Sequence, residues 1–220
     1  MEDQKNPPSS STHLKTPEER AQLVAINREI ALCASRKDID GARAAFQRAT
    51  RAGWANSHTF SAMINTHVRC GDIEGAIGVF NKLKTSGVKL DVVSCTTMIK
   101  GYCSVGDIGG GISLLHEMKR RNLAPNIRTI NTIIRGCVAT GTNRIGHNVF
   151  SCMKSTFGIQ PDSSSWEYEV AMLCQGLQMD KVLPMIGRLG SDSEAGDMTH
   201  SMSAIYGAVA RAAGLRGEWT

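Results

Sequence analysis

The chain has 220 residues and a formal net charge of +5, from 25 Lys and Arg against 20 Asp and Glu. Its 41% hydrophobic residues can bury a core, and its small positive charge permits an anionic partner without requiring one. The apolar runs are far shorter than the roughly 20 residues that cross a bilayer, which excludes a membrane-spanning helix and predicts no membrane partner. Aromatic residues make up 5%, fewer than a nucleic-acid surface built on aromatic stacking needs.

Residues 1–22 are polar and contain Pro7-Pro8 followed by a Ser/Thr run, which predicts a flexible N-terminal tail. No apolar segment typical of a secretory signal follows. Glu2 and Asp3 disfavour an acidic-poor organelle transit peptide. The interpretation is that a targeting segment is absent or that Met1 is not the natural start.

A repeat of about 35 residues is the strongest pattern in the chain. Units 57–91, 92–126 and 127–162 align, the last with one extra residue, and unit 23–56 fits with one residue missing. Landmarks recur at matching places: Met63-Ile64, Met98-Ile99 and Ile133-Ile134; Gly71, Gly106 and Gly141; Ala42, Ala76, Gly111 and Gly146; Phe46, Phe80, Leu115 and Phe150. In chain order, repeat 1 is 23–56, repeat 2 is 57–91, repeat 3 is 92–126 and repeat 4 is 127–162.

Each repeat is predicted to be a helix–turn–helix. In repeat 3, apolar residues from Cys95 to Cys103 recur at helical spacing, Gly106 suits the left-handed turn after a helix, and Asp107 suits the start of the next. Neither helix can bury its apolar stripe alone, so the predicted fold is all-α, a right-handed α-solenoid of stacked helix pairs.

Seven scattered cysteines, without a CxxC pair or zinc-ligand spacing, predict reduced thiols and no metal site. Most Cys and Met residues lie in the apolar stripes, where core packing is their expected role. The cysteines are Cys33, Cys70, Cys95, Cys103, Cys137, Cys152 and Cys174.

Beyond residue 162 the pattern weakens. Residues 163–197 form a degenerate unit, with Glu167 at its fifth position, Pro184 in its second helix and a polar, acidic closing segment. Residues 198–220 contain only the first half of a further unit, which is either a capping helix or the start of another repeat. The second interpretation is favoured, in which the chain is a piece of a longer protein.

The repeat length, the Gly-Tyr-Cys at 101–103 and the turns Pro125-Asn126 and Pro161-Asp162 resemble pentatricopeptide repeats (PPR), P-type. The Trp-Leu-Gly-Tyr signature of the similar tetratricopeptide repeat is absent. The resemblance implies binding of single-stranded RNA, one base per repeat, in mitochondria or plastids, in RNA processing, stability or translation. It implies no cofactor and no small-molecule substrate, and leaves room for other proteins of an organellar RNA complex.

By the same resemblance, the fifth and last residues of each repeat read one base. The implied base-reading pairs are Asn27/Asn56, Ser61/Asp91, Thr96/Asn126 and Asn131/Asp162. Ionised Asp only accepts hydrogen bonds and suits G or U, whereas Asn can donate to the ring nitrogen of A or C. A short Ser or Thr leaves room for a purine, while Asn reaches a pyrimidine. The predicted site is 5′-(C/U)GAU-3′.

The second residue of each repeat is implied to flank the bases: Val24, His58, Val93 and Arg128, with Ser164 in the degenerate unit. An apolar or planar side chain there can stack on a base. Lys100 and Arg135, both at the ninth position, are candidate phosphate contacts. The basic run Lys119-Arg120-Arg121 is expected to be a solvated helix end, with phosphate contact as the alternative.

Three alternatives stay open at this stage. An Asn or Asp before a helix is also a preferred N-cap, so capping alone could explain Asp91, Asn126 and Asp162. The solenoid could instead be a scaffold for a protein partner. The chain could also be the RNA-binding part of a longer enzyme, although these residues contain no catalytic constellation, and the predicted role is non-catalytic.

Overall fold

The computed structural model describes residues 16–178, 180–182, 184–185, 205–207 and 209–210. Within these ranges the secondary structure is helical, without strands. The helices are α1 (Pro17–Arg36), α2 (Ile39–Arg51), α3 (Ser57–Cys70), α4 (Ile73–Thr85), α5 (Val92–Ser104), α6 (Ile108–Arg120), α7 (Ile127–Thr140), α8 (Asn143–Phe157) and α9 (Ser163–Gln175). The all-α prediction of helix–turn–helix repeats is confirmed.

Short polar signals set the helix ends. Asp38, Asp72 and Asp107 are the N-caps of α2, α4 and α6, and the side chain of each accepts a hydrogen bond from a backbone N–H in the first turn. Gly71 and Gly141 end α3 and α7 with φ of 78° and 69°. Glycine adopts this left-handed conformation without the steric cost that a Cβ brings, so these positions work as turns.

The first helix begins earlier than predicted. Of the predicted flexible tail 1–22, residues 1–15 lie outside the described residues, and residues 17–22 belong to α1. Thr16 and Glu19 form a capping box, and Pro17 occupies the first turn, where its missing N–H costs no hydrogen bond.

The chain divides into two compact units, residues 1–105 and 106–220. In the first unit, α1 packs on α2 and α3, and α3 packs on α4 and α5. Ile30, Ile64, Met98 and Ile99 are completely buried. The rings of Phe46 and Phe60 meet edge to face with centroids 5.1 Å apart. Burial of these side chains is the main term that stabilises the helix pairs.

In the second unit, α7 packs on α6, α8 and α9, and α8 also packs on α9. The core contains Ile133, Ile134 and Cys137, all completely buried. Gly146 must be small because an added Cβ would lie 2.8 Å from Cys137 Cβ. Among the described methionines and cysteines, Met63, Met98, Met118, Met153, Met172, Cys95, Cys137 and Cys174 are buried in the core as predicted. Cys33, Cys70 and Cys103 are half-buried, Cys152 is exposed, and all seven cysteines are free thiols.

The final segments fall largely outside the described residues. Gly190–Asp197, the acidic closing segment, lies outside them, as does most of the predicted helix around Met202–Ala213. Pro184 lies in a short helical stretch with the residue that follows it. Among the described helices, none combines the length and the apolar character that a bilayer crossing requires.

A buried acid in α9 gives a test of the fold. Glu169 is completely buried, its Oε1 is hydrogen-bonded to His147 Nδ1, and its Oε2 has no partner. Burial raises the pKa of Glu169, and the hydrogen bond from His147 and the charges of His147 and Lys181 oppose that shift only in part. The folded state therefore holds the proton more tightly than the unfolded state does.

We expect Glu169→Gln to remove part of the pH dependence of stability. Because the folded pKa is raised, the stability that protonated Glu169 contributes is complete below its unfolded pKa of about 4.3 and is lost as the pH rises through the folded pKa. The melting temperature of the wild type should therefore fall relative to that of the variant between about pH 4 and the folded pKa. Thermal melts of both proteins across pH 4–8 would measure this, and a constant difference would contradict it.

Candidate nucleic-acid interface

The last residue of each repeat caps the next odd-numbered helix. Asn56, Asp91, Asn126 and Asp162 are the N-caps of α3, α5, α7 and α9. In each, Oδ1 accepts the backbone N–H three residues later, at 3.0, 2.8, 3.0 and 2.8 Å. The capping alternative is therefore a structural fact for all of them.

Capping occupies only one of the two terminal atoms of these side chains. Asn56 and Asn126 use Oδ1 for the cap, which leaves Nδ2 as a donor. Asp162 also caps through Oδ1, which leaves Oδ2 as an acceptor. Asp91 Oδ2 accepts the hydroxyl of Ser57, but a carboxylate oxygen has a second lone pair. A capping residue can therefore also present a donor or an acceptor to a ligand.

Two of the predicted pairs are brought together by hydrogen bonds. Asn131 Nδ2 donates to Asp162 Oδ1 at 3.0 Å. Ser61 Oγ lies 2.8 Å from Ser94 Oγ, and Ser94 Oγ donates to Asp91 Oδ1 at 2.7 Å. Residues about 30 positions apart in sequence thus converge at the N-terminus of the following helix.

The side chains of Asn27 and Asn56 are not joined by a hydrogen bond. Asn27 is 9% exposed, and its Oδ1 is buried without a hydrogen-bond partner. Thr96 is half-buried in α5, in the first compact unit, and Asn126 is exposed at the start of α7, in the second. These two pairs stay predictions from the repeat register.

The two aspartates are held in the charged form. Burial tends to raise the pKa of Asp91, but hydrogen bonds from Ser57 and Ser94 outweigh it and keep the pKa below its usual range. Burial also acts to raise the pKa of Asp162, and hydrogen bonds from Ser165 and Asn131 again lower it. At neutral pH both are ionised and only accept hydrogen bonds, as the predicted reading of G and U requires.

The predicted base-flanking residues lie on the surface. Val24 and Val93 are 66% and 60% exposed, and His58 and Arg128 are also exposed. Val24 lies within α1 and Val93 in the first turn of α5, and both present an apolar side chain to solvent at the second position of a repeat. Ser164, the corresponding residue of the degenerate unit, is exposed as well.

The candidate phosphate contacts lie on the surface of the helices. Lys100 and Arg135 are exposed on α5 and α7. Arg121 is the C-cap of α6 and pairs with Glu117 at 2.9 Å, while Lys119 Nζ lies 5.9 Å from the ring centroid of Phe157. These contacts favour the helix-end interpretation of the basic run. Glu167 is half-buried on α9.

Sequence reasoning missed a set of hydroxyls at the third helical position. Each is completely buried and donates its hydroxyl to Oδ1 of the N-cap residue. The signal is present in the sequence as Asn or Asp followed three residues later by Thr or Ser, and it forms a capping box in α3, α7 and α9. These residues are Thr59, Ser94, Thr129 and Ser165.

Other kinds of site are not evident in the part of the chain that the structure describes. No group of His, Cys, Asp and Glu there could hold a metal ion. A pocket of about 340 Å³ lies against α8 and α9, and none of the predicted base-reading residues lines it.

Comparison with known proteins agrees with the repeat register. Residues 55–104 and 90–139 match the PPR repeat family. No curated protein matches the sequence significantly.

Solved structures show the same fold. The maize pentatricopeptide repeat protein PPR10 superposes with a TM-score of 0.72 and 18% identity over 96% of this chain, which spans only 34% of PPR10. PPR10 in complex with an 18-nt psaJ RNA element gives a TM-score of 0.69 and 19% identity, covering 86% of this chain and 28% of that one. The PPR domain of Arabidopsis thaliana protein-only RNase P 1, in complex with tRNA, gives 0.63 and 14% identity, covering 81% of this chain and 97% of that one.

Proposed function

We propose that this chain, a pentatricopeptide repeat protein, binds single-stranded RNA sequence-specifically, one base per repeat, at a core site 5′-(C/U)GAU-3′. The observation that carries the proposal is the hydrogen-bonded pair Asn131 and Asp162 at the start of α9. The cap uses one atom of Asp162 and leaves Oδ2 beside the amide of Asn131, so an acceptor and a donor stand together. That combination is complementary to U, whose ring N3–H donates beside a carbonyl oxygen.

The neighbouring pair supports a different base. Asp91 is ionised and accepts hydrogen bonds, while Ser61 contributes a short side chain with an oxygen. G offers two adjacent donors, N1–H and the exocyclic amine, and is a large base that a short side chain accommodates. RNA bound to PPR10, and tRNA bound to the PPR domain of protein-only RNase P 1, support the choice of ligand.

We further propose a non-catalytic role for these repeats and an organellar location, mitochondrion or plastid, in RNA processing, stability or translation. The location rests on the family resemblance alone, and microscopy of the natural full-length protein fused to a fluorescent protein would test it. The chain spans about a third of the length of PPR10.

Affinity is expected to be modest. A stacked base contributes roughly 1–3 kcal/mol, and ordering of the strand offsets part of that sum. With one base per repeat over repeats 1 to 4, a dissociation constant in the micromolar range is expected.

The test is fluorescence-anisotropy titration of short RNAs containing CGAU, its permutation UAGC, and CGGU, with the wild type and with Asn126→Asp. The wild type should prefer CGAU by about tenfold, which corresponds to one well-made polar contact. The variant should prefer CGGU, because its carboxylate accepts from G where the amide of Asn126 donates to A.

Two other outcomes of this titration would contradict the proposal. Equal and salt-sensitive binding of all RNAs would leave only a weak cationic surface and contradict base reading. No binding of any RNA would contradict the proposed function and favour a scaffold for a protein partner.

A further inference from the structure

In α5 and α9, the buried hydroxyl at the third helical position contacts a second residue besides the N-cap. Ser94 Oγ lies 2.8 Å from Ser61, and Ser165 Oγ lies 2.7 Å from Asn131 Oδ1. Ser61 and Asn131 are the fifth residues of the preceding repeats. Each hydroxyl therefore touches both members of a base-reading pair, since it also donates to Asp91 or Asp162.

The hydroxyl of Ser94 determines what Ser61 can offer a ligand. Ionised Asp91 cannot donate, so the single hydroxyl hydrogen of Ser94 goes to Asp91 Oδ1. Ser94 can then only accept from Ser61, which commits the Ser61 hydrogen to that bond. Ser61 is left with lone pairs beside the carboxylate, and both members of the pair accept. This arrangement suits the two adjacent donors of G and rejects A, which has an acceptor ring nitrogen.

The hydroxyl of Ser165 fixes the orientation of the Asn131 side-chain amide. Ser165 Oγ lies 2.7 Å from Asn131 Oδ1 and 2.8 Å from Asp162 Oδ1, so its hydrogen is shared between two acceptors. With its oxygen held by Ser165, Asn131 points Nδ2 toward Asp162 Oδ1 at 3.0 Å. The second N–H of that amide is left for a ligand, and Asp162 Oδ2 remains an acceptor.

Repeat 1 lacks this connection. Thr59 Oγ1 bonds with Asn56 Oδ1 at 3.1 Å, and Asn27 Oδ1 has no partner. Thr59 in α3 can therefore be compared with Ser94 in α5 within the same protein. Thr59 makes the same N-cap contact as Ser94, but it does not reach the fifth residue of the preceding repeat.

We propose that Ser94 and Ser165 are positioning residues that set base specificity, by fixing which atoms of Ser61 and Asn131 donate or accept. The proposal rests on the RNA-binding function proposed above. The contacts that carry it join residues 33 and 34 positions apart, and both hydroxyls are completely buried, beyond the reach of competing water.

The test compares Ser94→Ala with Ser94→Thr in the full chain. Dissociation constants for RNAs containing CGAU and CAAU give the preference for G over A at the second base. We expect the wild type to prefer G by about tenfold, Ser94→Ala to retain a preference of about twofold or less, and Ser94→Thr to restore it. Thr keeps the hydroxyl and occupies the same position in α3 and α7.

Two further variants keep the test decisive. Thr59→Ala removes an equivalent N-cap contact and should lower the melting temperature similarly, while leaving the preference for G over A at the second base unchanged. Ser165→Ala should reduce the preference for U over C at the fourth base, which tests the idea independently if Ser94→Ala does not fold.

The outcomes separate the two proposals. A wild type that binds RNA without preference would overturn base reading itself, and with it the role of Ser94 and Ser165. A wild type with a clear preference for G that Ser94→Ala keeps in full, with all affinities reduced equally, would overturn the positioning role alone.

Discussion

Asp162→Asn is expected to change the preferred fourth base from U to C. Asp162 Oδ2 accepts, which matches the N3–H of U, whereas the ring nitrogen of C carries no hydrogen and needs a donor. The new amide can keep its oxygen on the cap, as Asn56 and Asn126 do, and place Nδ2 where Oδ2 was. The ratio of dissociation constants for CGAU and CGAC should move from about tenfold in favour of U to a preference for C.

The matched control is Asp107→Asn. Asp107 is also an N-cap in the second compact unit, and its Oδ1 accepts from Gly110 N at 2.7 Å, but it is not a base-reading residue. Both variants remove one negative charge and keep an N-cap, so a general charge effect would appear in both. A change of preference in Asp162→Asn alone would support base reading. An unchanged preference for U in that variant would contradict it.

Local signals in the sequence predicted most of the helical framework. The N-cap residues and the turn glycines act within a few residues of themselves, so their effect is visible without knowledge of the tertiary structure. Gly71, Gly106 and Gly141 all have positive φ, as the repeat register predicted. The early start of α1 was also predictable, because Thr16 and Glu19 form a capping box that the polar composition of the tail obscured.

Contacts between repeats could not be predicted from local signals. The hydroxyls of Ser94 and Ser165 resemble ordinary capping residues in the sequence, and only the stacking of odd-numbered helices brings them to Ser61 and Asn131. The burial of the Asn27 side chain oxygen without a partner has the same origin. Such features depend on how neighbouring helices are packed, since a small shift between helices makes or breaks a hydrogen bond.

Burial of Glu169 shows the same limit. Sequence reasoning singled out Glu167, at the fifth position of the degenerate unit, which is half-buried. The fully buried acid is Glu169, two residues later, bonded to His147 of α8. Helical periodicity indicates which face of α9 is apolar, but not that one carboxyl on it would find a partner on another helix.

Val93→Asp is expected to lower RNA affinity strongly without destabilising the protein. Val93 is 60% exposed in the first turn of α5, where a negative charge interacts favourably with the helix dipole by about 0.3–1 kcal/mol. A carboxylate in place of the apolar Val93 side chain would remove its packing contact with a base and would repel the phosphates of the RNA. We expect at least a tenfold increase in the dissociation constant for CGAU, measured by anisotropy at fixed salt.

Val105→Asp separates this contact from the change in net charge. Val105 is the C-cap residue of the same helix and is 50% exposed, so it is a similar valine at the opposite end of α5. Its replacement adds the same charge away from the second position of a repeat and should change affinity by less than about twofold, since one distant exposed charge is largely screened. Equal losses in both variants would indicate a general electrostatic effect. A loss in Val93→Asp alone, with an unchanged melting temperature, would mark the surface at the second residue of each repeat as the place where bases stack.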